Sequence, residues 1–169
     1  MTESFNTEEL LFKMKSLSLH ITAQLEQNLK DKGITGVQVY FLVYLLRHHR
    51  KGTYLTELCG ETGVSKATLS EMLRKLREKD YLYFLTEPDD IRKKKVPPTE
   101  KLIAESSEFL KKAEKMEKEI CSVLDQDEKA MLKKLEEKLL TQFDGMEQNE
   151  KNRQEVYYSE KSITATGKI

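Results

Sequence analysis

Between residues 55 and 99 the apolar positions change period twice. Leu69, Met72, Leu73 and Leu76 recur at three-and-four spacing, which is one stripe of an amphipathic helix. Tyr81, Leu82, Tyr83, Phe84 and Leu85 then form an unbroken aromatic and aliphatic run, which predicts a short strand. Residues 86–90 supply turn chemistry, and Ile91, Arg92, Lys93, Lys94, Lys95 and Val96 lead back as a second strand. That strand is expected to end near Val96, because Pro97 and Pro98 have no amide hydrogen to give to a ladder. Ahead of the amphipathic helix, Gly63 offers a positive φ and Val64 an apolar pin between two short helices. Ser65 is suited to cap the second of them. The pattern predicts a helix-turn-helix joined to a charged β-hairpin.

The flanks are helical. Thr7 can cap a helix carrying Leu10, Leu11, Met14, Leu17, Ile21, Leu25 and Leu29 and ending near Lys32 and Gly33. Thr35 or Gly36 opens a second helix, residues 37–50, apolar on most sides and therefore expected to be buried. After the hairpin, residues 99–124 predict a long helix with Leu102, Ile103, Phe109, Leu110, Ala113, Met116 and Ile120 on one side. Asp125 or Asp127 then caps a last helix with Met131, Leu132, Leu135, Leu139 and Phe143. These leucine stripes exceed what a small winged domain can cover, and exposed stripes of that size mark an interface. The expected fold is mainly α with a small antiparallel β wing. It divides into an N-terminal dimerisation helix (1–34), a winged helix-turn-helix domain (35–98), C-terminal dimerisation helices (99–143) and a polar tail (144–169). The tail, where apolar periodicity stops, is expected to be disordered or weakly helical.

Charge refines this picture. The chain of 169 residues carries 29 Lys+Arg and 29 Asp+Glu, so it is formally neutral. Neutrality counts against binding nucleic acid through bulk charge, but not against a local basic arm, since position decides. No secretory segment precedes the first helix and no apolar run is long enough for a bilayer, so a cytoplasmic location is expected.

The helix at 66–78 has the layout of a groove reader. One face is anchored, and the other carries Ala67, Ser70, Glu71, Arg74 and Glu78, with Lys66, Lys75 and Arg77 toward its edges. Such short polar and basic side chains can enter a major groove about 12 Å wide. Ser65, Lys66, Ala67, Thr68, Ser70, Glu71, Arg74 and Lys75 are the candidate contacts there, the N-terminal ones meeting base edges. Basic residues of the hairpin, Lys93 and Lys94 among them, would lie against phosphates and release counterions.

Residues 53–101 resemble the MarR family of winged-helix transcription regulators. The matching pieces are LTEL at 55–58, GVSKATLS at 63–70, RKLREKDYL at 74–82 and DDIRKKKVPPTEK at 89–101. In that family an aspartate, a variable residue and an arginine mark the wing, places taken here by Asp90, Ile91 and Arg92. The resemblance implies that Arg92 reaches into the minor groove, where a narrow groove favours a guanidinium, and that Asp90 orients it. It also implies a homodimer built from the terminal helices. The sequence departs from the family in three places. Asp80 stands where glycine is common, but aspartate tolerates the left-handed turn. Pro97 and Pro98 interrupt the return strand, and Leu102 replaces a glycine after the threonine that caps the next helix.

Other chemistry is sparse. Tyr40, Tyr44 and His48 share a face at four-residue spacing, on the helix that in this family borders an effector pocket. Core packing explains such a stripe more simply, yet a small apolar or phenolic ligand would be sought there first. Cys59 fits a packing role, and Cys121 has no visible partner for redox chemistry. His48 and His49 point about 100° apart on a helix, so no metal site is expected. No nucleophile and base pair, carboxylate cleft or phosphate-cradling loop indicates an enzyme, and no cofactor is implied.

The sequence therefore favours a homodimeric, sequence-specific regulator of transcription. It would be a repressor that binds near-palindromic double-stranded DNA and is relieved by a small-molecule effector. The alternative is a winged-helix protein-interaction module, which the acidic Glu71 and Glu78 on the groove face keep open.

Overall fold

A computed structural model describes residues 6–166, with the side chains of all of these except 91, 92 and 158–166. The chain forms two compact units, Met1–Glu119 and Ile120–Ile169.

In the first unit, α1 (Thr7–Asn28) begins one residue earlier than its leucine pattern suggests, because the Asn6 side chain, not Thr7, accepts from the Glu8 amide at 3.1 Å. The helix ends at Asn28, and a 3₁₀ turn (Lys30–Lys32) carries the chain to Gly33 in the left-handed region at φ 65°. Thr35 caps α2 (Gly36–His48) in a reciprocal box with Gln38. Gly36 is a packing requirement: a Cβ there would stand 2.0 Å from the Thr22 carbonyl oxygen of α1. As expected for a helix apolar nearly all round, α2 buries Val39, Phe41, Leu42, Val43, Leu45 and Leu46.

Then follow β1 (Thr53–Tyr54), α3 (Leu55–Thr62), α4 (Lys66–Glu78), β2 (Leu85–Glu87), β3 (Asp90–Val96) and α5 (Glu100–Cys121). Gly63 ends α3 at φ 71° and Ser65 caps α4, accepting from the Thr68 amide at 3.3 Å. The α4 stripe of Leu69, Met72, Leu73 and Leu76 is buried as its spacing predicts. It joins Leu42, Leu58, Leu82, Val96, Leu102 and Phe109 in one core.

The hairpin differs from its expected form. Of residues 81–85 only Leu85 belongs to the first strand: Tyr81 and Leu82 are buried in the core, and the paired strand starts at Leu85. Asp80 takes φ 61°, and the Tyr81 amide donates to the Leu76 carbonyl at 3.0 Å, which turns both side chains inward. Burial of that aromatic and aliphatic pair outweighs ladder formation there. Thr86 and Glu87 are strand rather than turn, leaving Pro88 and Asp89 between the paired Glu87 and Asp90. The return strand does end at Val96. The prolines still serve as acceptor and bridge, since Tyr83 N–H donates to the Pro97 carbonyl at 3.2 Å and Leu82 pairs with Pro98. A third strand was not anticipated: β1 pairs with β3, Thr53 opposite Val96 and Tyr54 opposite Lys95, giving the antiparallel order β1-β3-β2. Two residues are too few to show a period.

Thr99 caps α5, accepting from the Leu102 amide at 3.2 Å while its hydroxyl donates to the Asp80 carbonyl at 2.7 Å. In the second unit, Asp125 and Glu128 form a capping box at 2.9 Å each way, and α6 (Gln126–Thr166) follows. The tail from 144, expected to be disordered or weakly helical, continues this helix as far as Thr166. Good helix formers dominate it, and Gly145 costs only about 1 kcal/mol relative to alanine. Met131, Leu132, Leu135, Leu139 and Phe143 are exposed along α6, as are Leu10, Leu11 and Leu17 along α1. Among the described residues no helix is long and apolar enough to cross a membrane.

Candidate functional site

Because its apolar stripe is fixed in the core, α4 must present its other face outward. Ser65, Lys66, Ala67, Thr68, Ser70, Glu71, Arg74 and Lys75 are all exposed. The cap organises the leading end: Ser65 accepts from the Thr68 amide, and the two hydroxyls lie 2.9 Å apart.

Two turns along, charge is arranged in a cluster. The Arg74 guanidinium grips Glu71 with two parallel hydrogen bonds, Nε to Oε2 at 3.0 Å and Nη2 to Oε1 at 2.7 Å. Its Nη1 also donates to Glu78, and Lys75 Nζ lies 3.9 Å from the same Glu71 carboxylate. Hydrogen bonding from Arg74, with the charges of Arg74 and Lys75 behind it, holds the Glu71 carboxyl below the usual range. Glu71 in turn raises the guanidinium further above its ordinary value, with Glu78 contributing less. Sequence spacing placed these acids on the outward face of α4 but did not show that one arginine joins both.

The wing is formed by β2 and β3, with β3 the central strand of the sheet. Lys93 and Lys94 are exposed, Lys94 opposite Thr86 and Lys95 opposite Leu85. Asp90 opens β3, whereas the side chains of Ile91 and Arg92 lie outside the described residues, and with them the expected orientation of Arg92 by Asp90. A hydrogen bond that the sequence did not reveal ties the wing down: Tyr54 OH donates to Glu87 Oε1 at 2.6 Å. No local pattern could show it, since the two residues are 33 positions apart and meet only across β3. Arg77 also stacks over the Phe84 ring, 4.8 Å from its centroid.

On α2 the rings of Tyr40, Tyr44 and His48 follow one another, with centroids 6.4 Å and 4.6 Å apart. The Tyr44 hydroxyl donates to Glu61 Oε2 of α3 at 2.5 Å, and His49 Nε2 lies 2.7 Å from the same oxygen. Burial, reinforced by Glu61, pushes the Tyr44 phenol up to about 12. The Tyr44 and His49 hydrogen bonds hold Glu61 below the ordinary carboxylate range. A small apolar void elsewhere is lined by Phe41, Leu42, Leu45, Leu58, Leu73, Leu76 and Leu82, so it belongs to the core and not to this aromatic face. Cys59 is half-buried against the core, and Cys121 is exposed. Among the described residues no three His, Cys, Asp or Glu side chains are grouped to hold a metal ion.

The MarR family model matches residues 32–93. No curated protein sequence matches the chain. Solved structures do. A MarR transcriptional regulator from Methanosarcina mazei Go1 is 20% identical with a TM-score of 0.70, over 81% of this chain and 98% of that one. A MarR protein from Peptoclostridium difficile DA00132 is 20% identical with a TM-score of 0.74, over 86% and 93%. The MepR–DNA complex of S. aureus is 26% identical with a TM-score of 0.69, over 83% and 99%.

Proposed function

From the match of the MarR family model to residues 32–93 and the fold shared with solved MarR regulators, we propose that the chain is a MarR-family homodimeric repressor that reads a near-palindromic operator. The carrying observation is the pairing of an anchored helix with a basic arm. Four buried side chains hold α4, leaving Ser65, Lys66, Ala67, Thr68, Ser70, Glu71, Arg74 and Lys75 exposed, and β3 brings Lys93 and Lys94 to the surface of the adjoining wing.

Each residue then has a role. Ser65, Lys66, Ala67, Thr68, Ser70, Glu71, Arg74 and Lys75 meet the major groove. Lys93 and Lys94 neutralise phosphates, and Arg92, supported by Asp90, enters the minor groove. The exposed apolar residues of α1 and α6 are covered by a second copy of the chain, which sets two α4 helices about 34 Å apart on one face of the duplex. A small effector acts at Tyr40, Tyr44 and His48, whose rings border the α3 contact through Glu61. The protein works in the cytoplasm.

The protein-interaction reading drew on Glu71 and Glu78. Both engage Arg74, and Lys75 lies 3.9 Å from Glu71, so two cations face the two acids on α4, which favours DNA.

The test is a duplex-binding assay with fragments of the genome, including the region upstream of the protein's own gene. A preferred fragment is expected, with affinity falling steeply with salt at about 0.9 in the logarithmic slope per phosphate neutralised. Lys93→Ala and Lys94→Ala should each make that slope shallower. Binding no better than to random DNA removes the proposal.

A further inference from the structure

We propose that Glu71, buttressed by Arg74, is a sequence-determining residue that reads cytosine in each operator half-site. This rests on the regulator reading given above. A carboxylate on a groove-reading helix needs an explanation, because phosphates repel it. Here Arg74 lessens the difficulty: its double hydrogen bond to Glu71 fixes the carboxylate plane, and Lys75, 3.9 Å from the same carboxylate, helps to offset the charge, since Arg74 also engages Glu78. A side chain held in one pose is prepared for a directional contact, whereas a free glutamate would lose rotamer freedom on binding.

The remaining valences define what the pair can take. An ionised carboxylate offers about four lone-pair positions, of which Arg74 uses two. Glu71 can only accept, and in the major groove the donors are the amino groups of cytosine and adenine. Adenine presents N7, an acceptor, beside its amino group, and a carboxylate has nothing to donate to it. Cytosine presents its amino group without that neighbour, so it fits better. The position on the helix agrees: Glu71 is in the second turn of α4, half exposed, on the side opposite Leu69, Met72 and Leu73.

The experiment is selection of duplexes from a randomised pool by the full-length protein, run in parallel for wild type, Glu71→Ala and Glu71→Gln. Circular dichroism serves as the control for folding. Wild type is expected to enrich a two-fold symmetric motif with one cytosine fixed in each half, favoured over the other bases by roughly tenfold. Glu71→Ala should erase the preference at that position alone. Glu71→Gln should shift it toward adenine, which glutamine contacts through both amide atoms. A motif unchanged in both variants, or weakened evenly at every position, overturns the assignment of Glu71. If wild type itself enriches nothing, the regulator reading falls and this inference with it.

Discussion

The Tyr54 hydroxyl donates to the Glu87 carboxylate at 2.6 Å, joining the residue that precedes α3 to the last residue of β2. One hydrogen bond thus connects the start of the helix-turn-helix to the wing beside its turn. The carboxylate keeps the Tyr54 proton in place, raising the phenol above its ordinary value. Tyr54→Phe should therefore loosen the wing without unfolding the domain. A few-fold loss of duplex affinity is expected in fluorescence anisotropy, with a thermal midpoint close to wild type. Full affinity would show that the wing is positioned by its ladder alone.

Asp80 occupies the left-handed region at φ 61°, the one non-glycine described residue with a positive φ. Its conformation turns Tyr81 into the core, so the strain is maintained by burial of Tyr81 and Leu82. Asp80→Gly should change stability by no more than about 1 kcal/mol, relief of strain offsetting added freedom in the unfolded chain. Asp80→Val should destabilise by about 1–2 kcal/mol, because a β-branched residue tolerates that region poorly. Urea unfolding at constant m separates the two variants.

Tyr44 and Glu61 predict an alkaline transition. A raised phenol pKa means that the fold binds the proton more tightly, so this contribution to stability is complete below about pH 10. It is lost as pH rises toward about 12. For Glu61 the sign is reversed: its depressed pKa contributes stability above the ordinary carboxylate range, lost as pH falls through the lowered value. Absorbance titration near the phenolate band should show late tyrosines, since Tyr54 and Tyr81 are raised as well, and Tyr44→Phe should remove the one that titrates toward about 12. Glu61→Gln should move that component down part of the way, since burial, the larger cause, remains. A late component of undiminished amplitude in Tyr44→Phe would place the shift elsewhere.

Leu135 and Leu139 lie exposed one helical turn apart on α6. If a second chain covers them, Leu135→Glu with Leu139→Glu should weaken association by more than about 100-fold, each buried leucine contributing about 1.5–3 kcal/mol. Sedimentation would then report a monomer of unchanged helicity. A dimer persisting at the same concentration would exclude this face of α6 from the interface.

The sequence made the anchored side of α4 legible because four apolar residues at helical spacing admit one solution. Gly63, Ser65, Asp80 and Thr99 were legible for a related reason, each being a residue whose backbone or hydroxyl chemistry suits one position in a turn or cap. The hairpin was half legible. Val96 marked its end, but Tyr81 and Leu82 look like strand residues in sequence and are core residues in the fold, a choice settled by distant partners such as Phe109, whose ring meets Tyr81 edge-on at 5.8 Å. The α6 extension stayed between disorder and weak helix in the sequence because its composition lacks an apolar period while still favouring helix. Among candidate site residues, exposure followed from the stripe, whereas the Glu71, Arg74 and Glu78 cluster and the Tyr54 contact depended on rotamers and on a strand too short to see.

Pro97 and Pro98 close β3 with two successive positions that lack an amide hydrogen. A strand slipped by a single residue would bring one of these missing donors into the ladder and turn Val96 from the core to water. The prolines therefore act as an index mark for the whole hairpin. They fix how far Lys93 and Lys94 stand from α4, so the spacing between helix and basic arm is written into the chain itself.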